Sequence, residues 1–330
     1  MRESSKTFNT ASASSQVILY EGVLIKLKNS EDIFYVKGIS HPQGYVIAFP
    51  RYIKQGEKVR ILKTYKEQIL YAKEKYPEFI KKLDDKEILL IPMSEIEKIY
   101  DPVERAAEIR RKPESPDEEI VAELIDILCE AVPQNYVGIV GSRLLGLRGF
   151  DHDVDIVVID YRYAIPLYDI LITYKRKYKK LFALSHKDIS DMYKVHCQSL
   201  RIPFEKYVRT VTRRVLEGSF KGLKYFIRIL LMYRHRPVFR IVSIMKLGKI
   251  LTYAKFSPKI DTVSVTCPCL YFDANVPIVS ERGVFTETLR LLQHVKVCGD
   301  LEEVVLDVDG ELVRLRWIYL GPDAYVEEVS

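Results

Sequence analysis

Between residues 115 and 159 the chain spells a helix, a buried strand, a glycine turn and a second strand, and that order admits few folds. Ser115-Pro116-Asp117-Glu118 combines an N-cap, a proline at the first helical position and a glutamate at the third. The apolar series Ile120, Val121, Leu124, Ile125, Leu128 and Val132 follows at helical spacing. After Pro133, Tyr136–Val140 reads as an apolar strand closed by Gly141-Ser142, and Val154–Ile159 reads as the second strand. Beyond it the pattern predicts helices over about Pro166–Tyr178, Asp188–Cys197 and Phe204–Glu217. A short strand fits Leu181–Leu184 and a longer one Lys224–Met232.

The flanks differ from this centre. Short β-branched and aromatic segments at 17–27, 32–38 and 44–49, separated by turn residues, indicate a small N-terminal β-module. Helical spacing follows from Thr64, and Ser94 with Glu97 three residues on suggests a second helix start. The charged stretch Asp101–Glu114, with Pro102 and Pro113, reads as a linker. From Val238 onward, strands alternate with turns at Gly248, Pro268, Gly283, Gly299, Gly310 and Gly321, the pattern of a β-rich domain. The expected division is a disordered leader over 1–15, a β-module with helices over 16–100, a linker over 101–114, a central unit over 115–235 and a β-rich unit over 236–330.

Several classes are excluded. No apolar run approaches the roughly 20 residues of a membrane-spanning helix, and Met1–Ser15 lacks the apolar stretch of a secretory signal. Five cysteines in 330 residues argue against a disulfide framework and for a reducing, cytoplasmic compartment. Asparagine occurs only at 9, 29, 135 and 275, among abundant Lys, Glu, Ile and Val, a balance that suits a heat-adapted source. The net charge of +6 is uneven: residues 161–260 hold 23 Lys or Arg against five acids, a net +18, while 1–160 carries −4 and 261–330 carries −8. Such a concentration calls either for the acidic flanks of the same chain or for an external polyanion.

The chemistry concentrates in Val140-Gly141-Ser142 and, after ten intervening residues, Asp153-Val154-Asp155-Ile156. A Gly-Ser turn at a strand end lets backbone amides and a hydroxyl approach a phosphate closely. Aspartates at i and i+2 of a strand share a face, so Asp153 and Asp155 can ligate a hard divalent cation through oxygen. Arg143 and Arg148, in the intervening loop, are candidates for phosphate neutralisation.

This pattern resembles the signature of the DNA polymerase β-like nucleotidyltransferase superfamily, and the Gly38–Tyr52 and Gly218–Leu230 stretches are similar to archaeal predicted nucleotidyltransferases. The resemblance implies an α+β fold, a nucleotidyltransferase-like mixed sheet with helices, flanked here by the N-terminal β/helical module and the C-terminal β-rich domain. It implies that Gly141 and Ser142 bind a nucleoside triphosphate, a site that Arg143 of the following loop is placed to join, and that Asp153 and Asp155 are catalytic ligands of Mg2+ or Mn2+. Many members carry a third acid on a later strand, where Lys224–Met232 offers Arg228; Asp188 and Asp261 are the alternatives. The expected function is transfer of a nucleoside monophosphate from a nucleoside triphosphate to a hydroxyl; the basic segment favours an RNA or DNA end as acceptor, with small-molecule and protein acceptors left open. The alternative is a noncatalytic nucleic-acid-binding protein that retains the fold.

The remaining motifs carry less. Asp151 with Asp153 and Asp155 mimics an EF-hand start but lacks the later Gly and Glu, and His152 should face away from the aspartates. Cys267-Pro268-Cys269 with Cys298 lacks zinc-site spacing. Tyr174–Lys180, Lys206-Tyr207, Lys224-Tyr225 and Tyr233–Arg236 interleave cations with aromatics, which suits a nucleic-acid backbone with stacked bases.

Overall fold

The computed structural model describes residues 19–56, 58–83, 86–147 and 153–329. The expected leader, Arg148, Asp151 and His152 lie outside the described residues. The fold is mixed α+β, with three main sheets.

The N-terminal sheet contains β1 (Leu24–Leu27), β2 (Ile33–Val36), β3 (Tyr45–Gln55), β4 (Lys58–Ile61), β5 (Ile80–Leu83), β6 (Lys86–Pro92) and β7 (Ile96–Tyr100), with α1 (Tyr65–Lys75) between β4 and β5. Its order is β5-β6-β3-β2-β1-β7, with β4 on β3, and its pairings are antiparallel. Phe34, Val36, Val46 and Ala48 are fully buried in its core, where each large apolar side chain contributes about 1.5–3 kcal/mol. The segment expected to start a helix at Ser94 is instead a 3-10 turn, Met93–Glu95, leading into β7. Ile96, Ile99 and Tyr100 have helical spacing, but Pro102 leaves such a helix under two turns, and the segment pairs with Leu24–Leu27 instead.

The expected linker contains α2 (Pro102–Arg111), capped by Asp101, whose carboxylate accepts from the Val103 amide at 2.8 Å. Its Ala106 and Ile109 join the central core, which explains why so charged a stretch is ordered. The central unit continues with α3 (Pro116–Cys129), β8 (Val137–Val140), β9 (Asp153–Val158), α4 (Ala164–Arg176), β10 (Leu181–Phe182), α5 (His186–His196), β11 (Leu200–Arg201), α6 (Phe204–Val211), β12 (Glu217–Phe220) and β13 (Leu223–Leu230). The central sheet runs β10-β12-β13-β9-β8. Only β9 and β13 are parallel along that path. Val154, Ile156 and Val158 face α3 and α4 from one side of β9. Asp153, Asp155 and Val157 therefore face the other side, where Val157 packs with the N-terminal module.

After β14 (Met232–Tyr233) and β15 (Arg236–Pro237) come β16 (Arg240–Lys255), β17 (Thr266–Cys267), β18 (Cys269–Tyr271), β19 (Ile278–Ser280), α7 (Thr288–Leu292), β20 (His294–Val308), β21 (Glu311–Tyr319) and β22 (Tyr325–Glu328). The C-terminal sheet has the order β11-β22-β20-β21-β19-β18, with β16 on β20. The central and C-terminal parts exchange elements: β11 pairs with β22, and β17 extends the central sheet from the end of β13. Ile189, Leu200, Ile202, Tyr207 and Val211 lie in the C-terminal core.

Candidate active site

The turn after β8 is a 3-10 segment over Gly141–Leu145. Gly141 has φ +74°, a conformation that L side chains rarely adopt. A β-carbon there would stand 3.0 Å from Asp155 Oδ2, so turn backbone and carboxylate are in close approach. The antiparallel register pairs Val140 with Asp155, which carries the expected turn and the expected aspartates to one place. Leu144 packs with Leu24 and Tyr52, anchoring the turn against the N-terminal sheet. Ser142 lies within the turn, and its carbonyl accepts from the Leu147 amide at 3.2 Å.

Arg143 takes a supporting position. It is buried, and its Nε donates to the Asp153 carbonyl at 3.0 Å, fastening the start of β9. Its guanidinium is 3.8 Å from Asp117. Asp153 is exposed and Asp155 is half-buried. Burial, followed by the Asp153 charge, lifts the Asp155 carboxyl to about 6, against the pull of Arg228 and Arg51.

Across the sheet, Lys224 pairs with Asp153, Phe226 with Asp155 and Arg228 with Val157. These side chains share the aspartates' face, so the row that would hold a third acid holds Lys, Phe and Arg. Arg228 Nη1 is 2.5 Å from Glu21 Oε1 and donates to the Tyr35 hydroxyl at 3.1 Å. Glu21 is 1% exposed and also accepts from Lys37 Nζ at 2.6 Å and from the Gly38 amide. A narrow cleft of about 70 Å³ lies between this network and the turn, lined by Glu21, Gly22, Tyr35, Gly141, Asp155 and Arg228.

Neither alternative acid fills the third place. Asp188, at the start of α5, accepts from Ser185 and is 3.1 Å from Lys224 Nζ, so Lys224 stands between it and the aspartate strand. Asp261 pairs with Arg290 in the C-terminal part. Among the described residues, no group of three or more His, Cys, Asp or Glu is placed to hold a metal. Two carboxylates, one open to solvent and one lining a cleft, still suit a hard cation that completes its shell with water and phosphate oxygens. Cys267 and Cys269 are buried, with their thiols directed at the carbonyls of Glu281 and Ser280.

The basic segment divides between two roles. Arg201, Lys206, Arg240 and Lys246 pair with Glu327, Glu328, Asp307 and Asp300, so the acidic C-terminal part compensates some of the charge internally. Arg176–Lys180, at the end of α4, is solvent-exposed, with Tyr178 half-exposed and Lys177 5.5 Å from its ring centre. Among the described residues no helix is long and apolar enough to cross a membrane.

Sequence reasoning missed Glu21, Arg51 and Glu217. Glu21 had a signal, a lone acid inside an apolar run, the position where burial demands a charged partner. Glu217 pairs with Phe226, one strand further from Asp155, and is bound to Arg214 at 2.7 Å. No family model, curated protein or solved structure matches the chain.

Proposed function

We propose that this protein is a divalent-metal-dependent nucleotidyltransferase that moves a nucleoside monophosphate from a nucleoside triphosphate to a hydroxyl, with an RNA or DNA end as acceptor. The observation that carries the reading is the meeting of the Gly141 turn with Asp153 and Asp155, whose positions share one strand face opposite the helices. Asp153 and Asp155 hold the cation, and the Gly141-Ser142 turn receives the triphosphate. The bound cation, Mg2+ or Mn2+, supplies Lewis-acid stabilisation of charge on the phosphoryl oxygens. The acceptor oxygen bonds to the α-phosphorus, the α–β bridging bond breaks, pyrophosphate leaves with that electron pair, and the hydroxyl proton passes to solvent beside Asp153. The exposed cations and tyrosine of Arg176–Lys180 suit a polyanionic acceptor.

One observation favours a second reading, a noncatalytic nucleic-acid binder: Arg228 occupies the acid row and is committed to Glu21. Turnover separates the two. Purified protein is incubated with Mg2+ or Mn2+, each labelled nucleoside triphosphate, short RNAs and total tRNA, beside the Asp153→Ala/Asp155→Ala protein. Label transferred to an acceptor and lost in the variant supports the enzyme. Equal, salt-sensitive RNA binding by both proteins with no transfer supports the binder.

A further inference from the structure

The 16-residue strand β16 pairs with β20 along one edge and, among the described strands, with nothing along the other. Its open edge is about 50 Å long at roughly 3.3 Å per residue. Soluble proteins keep such edges short, covered or charged, because unpaired N–H and C=O groups template further pairing. Here the edge is rich in exposed apolar side chains: Val242, Met245, Leu247, Leu251 and Tyr253 are 42–67% exposed. Val242 and Leu247 are the residues skipped in the register with β20, and such bulges re-aim side chains outward.

We propose that β16 is the interface between two copies of this chain, paired antiparallel across a two-fold axis so that two C-terminal sheets become one. A strand paired with itself in this way satisfies its open backbone groups symmetrically. The charges permit it. Arg240 and Lys246 are already bound to Asp307 and Asp300 of their own β20. A register centred on Leu247 sets Lys246 across from Gly248, Lys249 across from Met245 and Arg240 across from Ala254, so no two cations are directly opposed. An edge of about 50 Å by about 10 Å of sheet depth gives roughly 500 Å² per partner. The projecting apolar side chains bring this toward the roughly 800 Å² per partner of a stable complex.

The inference does not depend on the proposed reaction. It is tested by sedimentation equilibrium of the full chain at micromolar concentrations, beside Val242→Lys/Leu251→Lys and a chain lacking residues 1–18. The expected mass is twice 38.4 kDa for the full chain and 38.4 kDa for the lysine variant, with unchanged circular dichroism and thermal midpoint. A full chain that stays monomeric overturns the proposal. So does a dimer that survives both lysines, a dimer formed only when RNA is added, or a dimer formed only after residues 1–18 are removed, which would assign the edge to the chain's own N-terminus.

Discussion

Glu21 is a buried carboxylate that accepts from four donors, Lys37, Arg228, the Gly38 amide and the Tyr35 hydroxyl. Burial alone would raise its pKa, but Lys37, Arg228 and the Gly38 amide outweigh that and bring it to about 2. An acid that titrates near 4.5 when unfolded and near 2 when folded stabilises the fold fully above pH 4.5. That contribution drains away as pH falls from 4.5 toward 2, and a shift of this size is worth on the order of 3 kcal/mol. Glu21→Gln is therefore expected to destabilise the protein by about 3 kcal/mol at pH 7, leaving Arg228 with a neutral partner, and by progressively less toward pH 2. Urea unfolding at pH 7 and pH 3 checks this; an equal loss at both would mean the charge is not what Glu21 contributes. Arg228 itself was legible as the wrong residue for a third acid. Its partner was not, because the pair spans 207 positions and no local pattern joins them.

At the scale of elements, the firmest sequence signals were local and chemical. Ser115 accepts from the Glu118 amide at 3.3 Å, Pro116 opens α3, and three acids sit in its first turn, where the helix dipole favours them. Ser115→Ala should cost about 1 kcal/mol, read as a lowered thermal midpoint, with native circular dichroism at 25 °C. A midpoint unchanged from wild type would show that packing of Val121, Leu124 and Leu128 alone sets the position of the helix. The misread elements fail for a common reason. Ser94…Glu97 has the spacing of a cap, and Ile96, Ile99 and Tyr100 that of a short stripe, but Pro102 leaves room for under two turns and strand pairing with β1 decides its structure. Asp101–Glu114 looks like solvated charge, yet three buried side chains, Pro102, Ala106 and Ile109, fasten it to the core. The expected helix over Phe204–Glu217 stops at Val211 because Glu217–Phe220 pairs with β13. Local pattern located the Gly141 turn and Asp153–Val158 because both lie within one hairpin; the cover over them comes from distant chain.

At the scale of the whole molecule, the central and C-terminal parts are held together by an exchange of elements. Residues 184–211 send Leu184, Ile189, Leu200, Tyr207 and Val211 into the C-terminal core, while Thr266-Cys267 returns as β17 to the central sheet. The fully buried Glu287 closes the clasp, accepting from the Val215 and Leu216 amides at 2.9 and 3.1 Å with Arg214 3.8 Å away. The boundary near 235 that the sequence suggested cuts across this exchange. A fragment of residues 115–235 would expose the apolar faces of α5 and α6, leave β11 without β22, and remove the carboxylate from two buried amides, each orphan costing about 1–3 kcal/mol. Against a typical domain stability of 5–15 kcal/mol these losses are decisive. The fragment also separates Arg201 and Lys206 from Glu327 and Glu328, adding self-repulsion to a segment already strongly basic. Fragment 115–235 is expected to show no cooperative thermal transition, whereas the full chain, in which the N-terminal sheet also shares a core with Leu230, Phe239, Leu306 and Trp317, should show one. Calorimetry of the fragment beside the full chain decides between coupling and independence: a sharp transition in 115–235 alone would mean that the exchanged elements are peripheral to the stability of the sheet bearing Asp153 and Asp155.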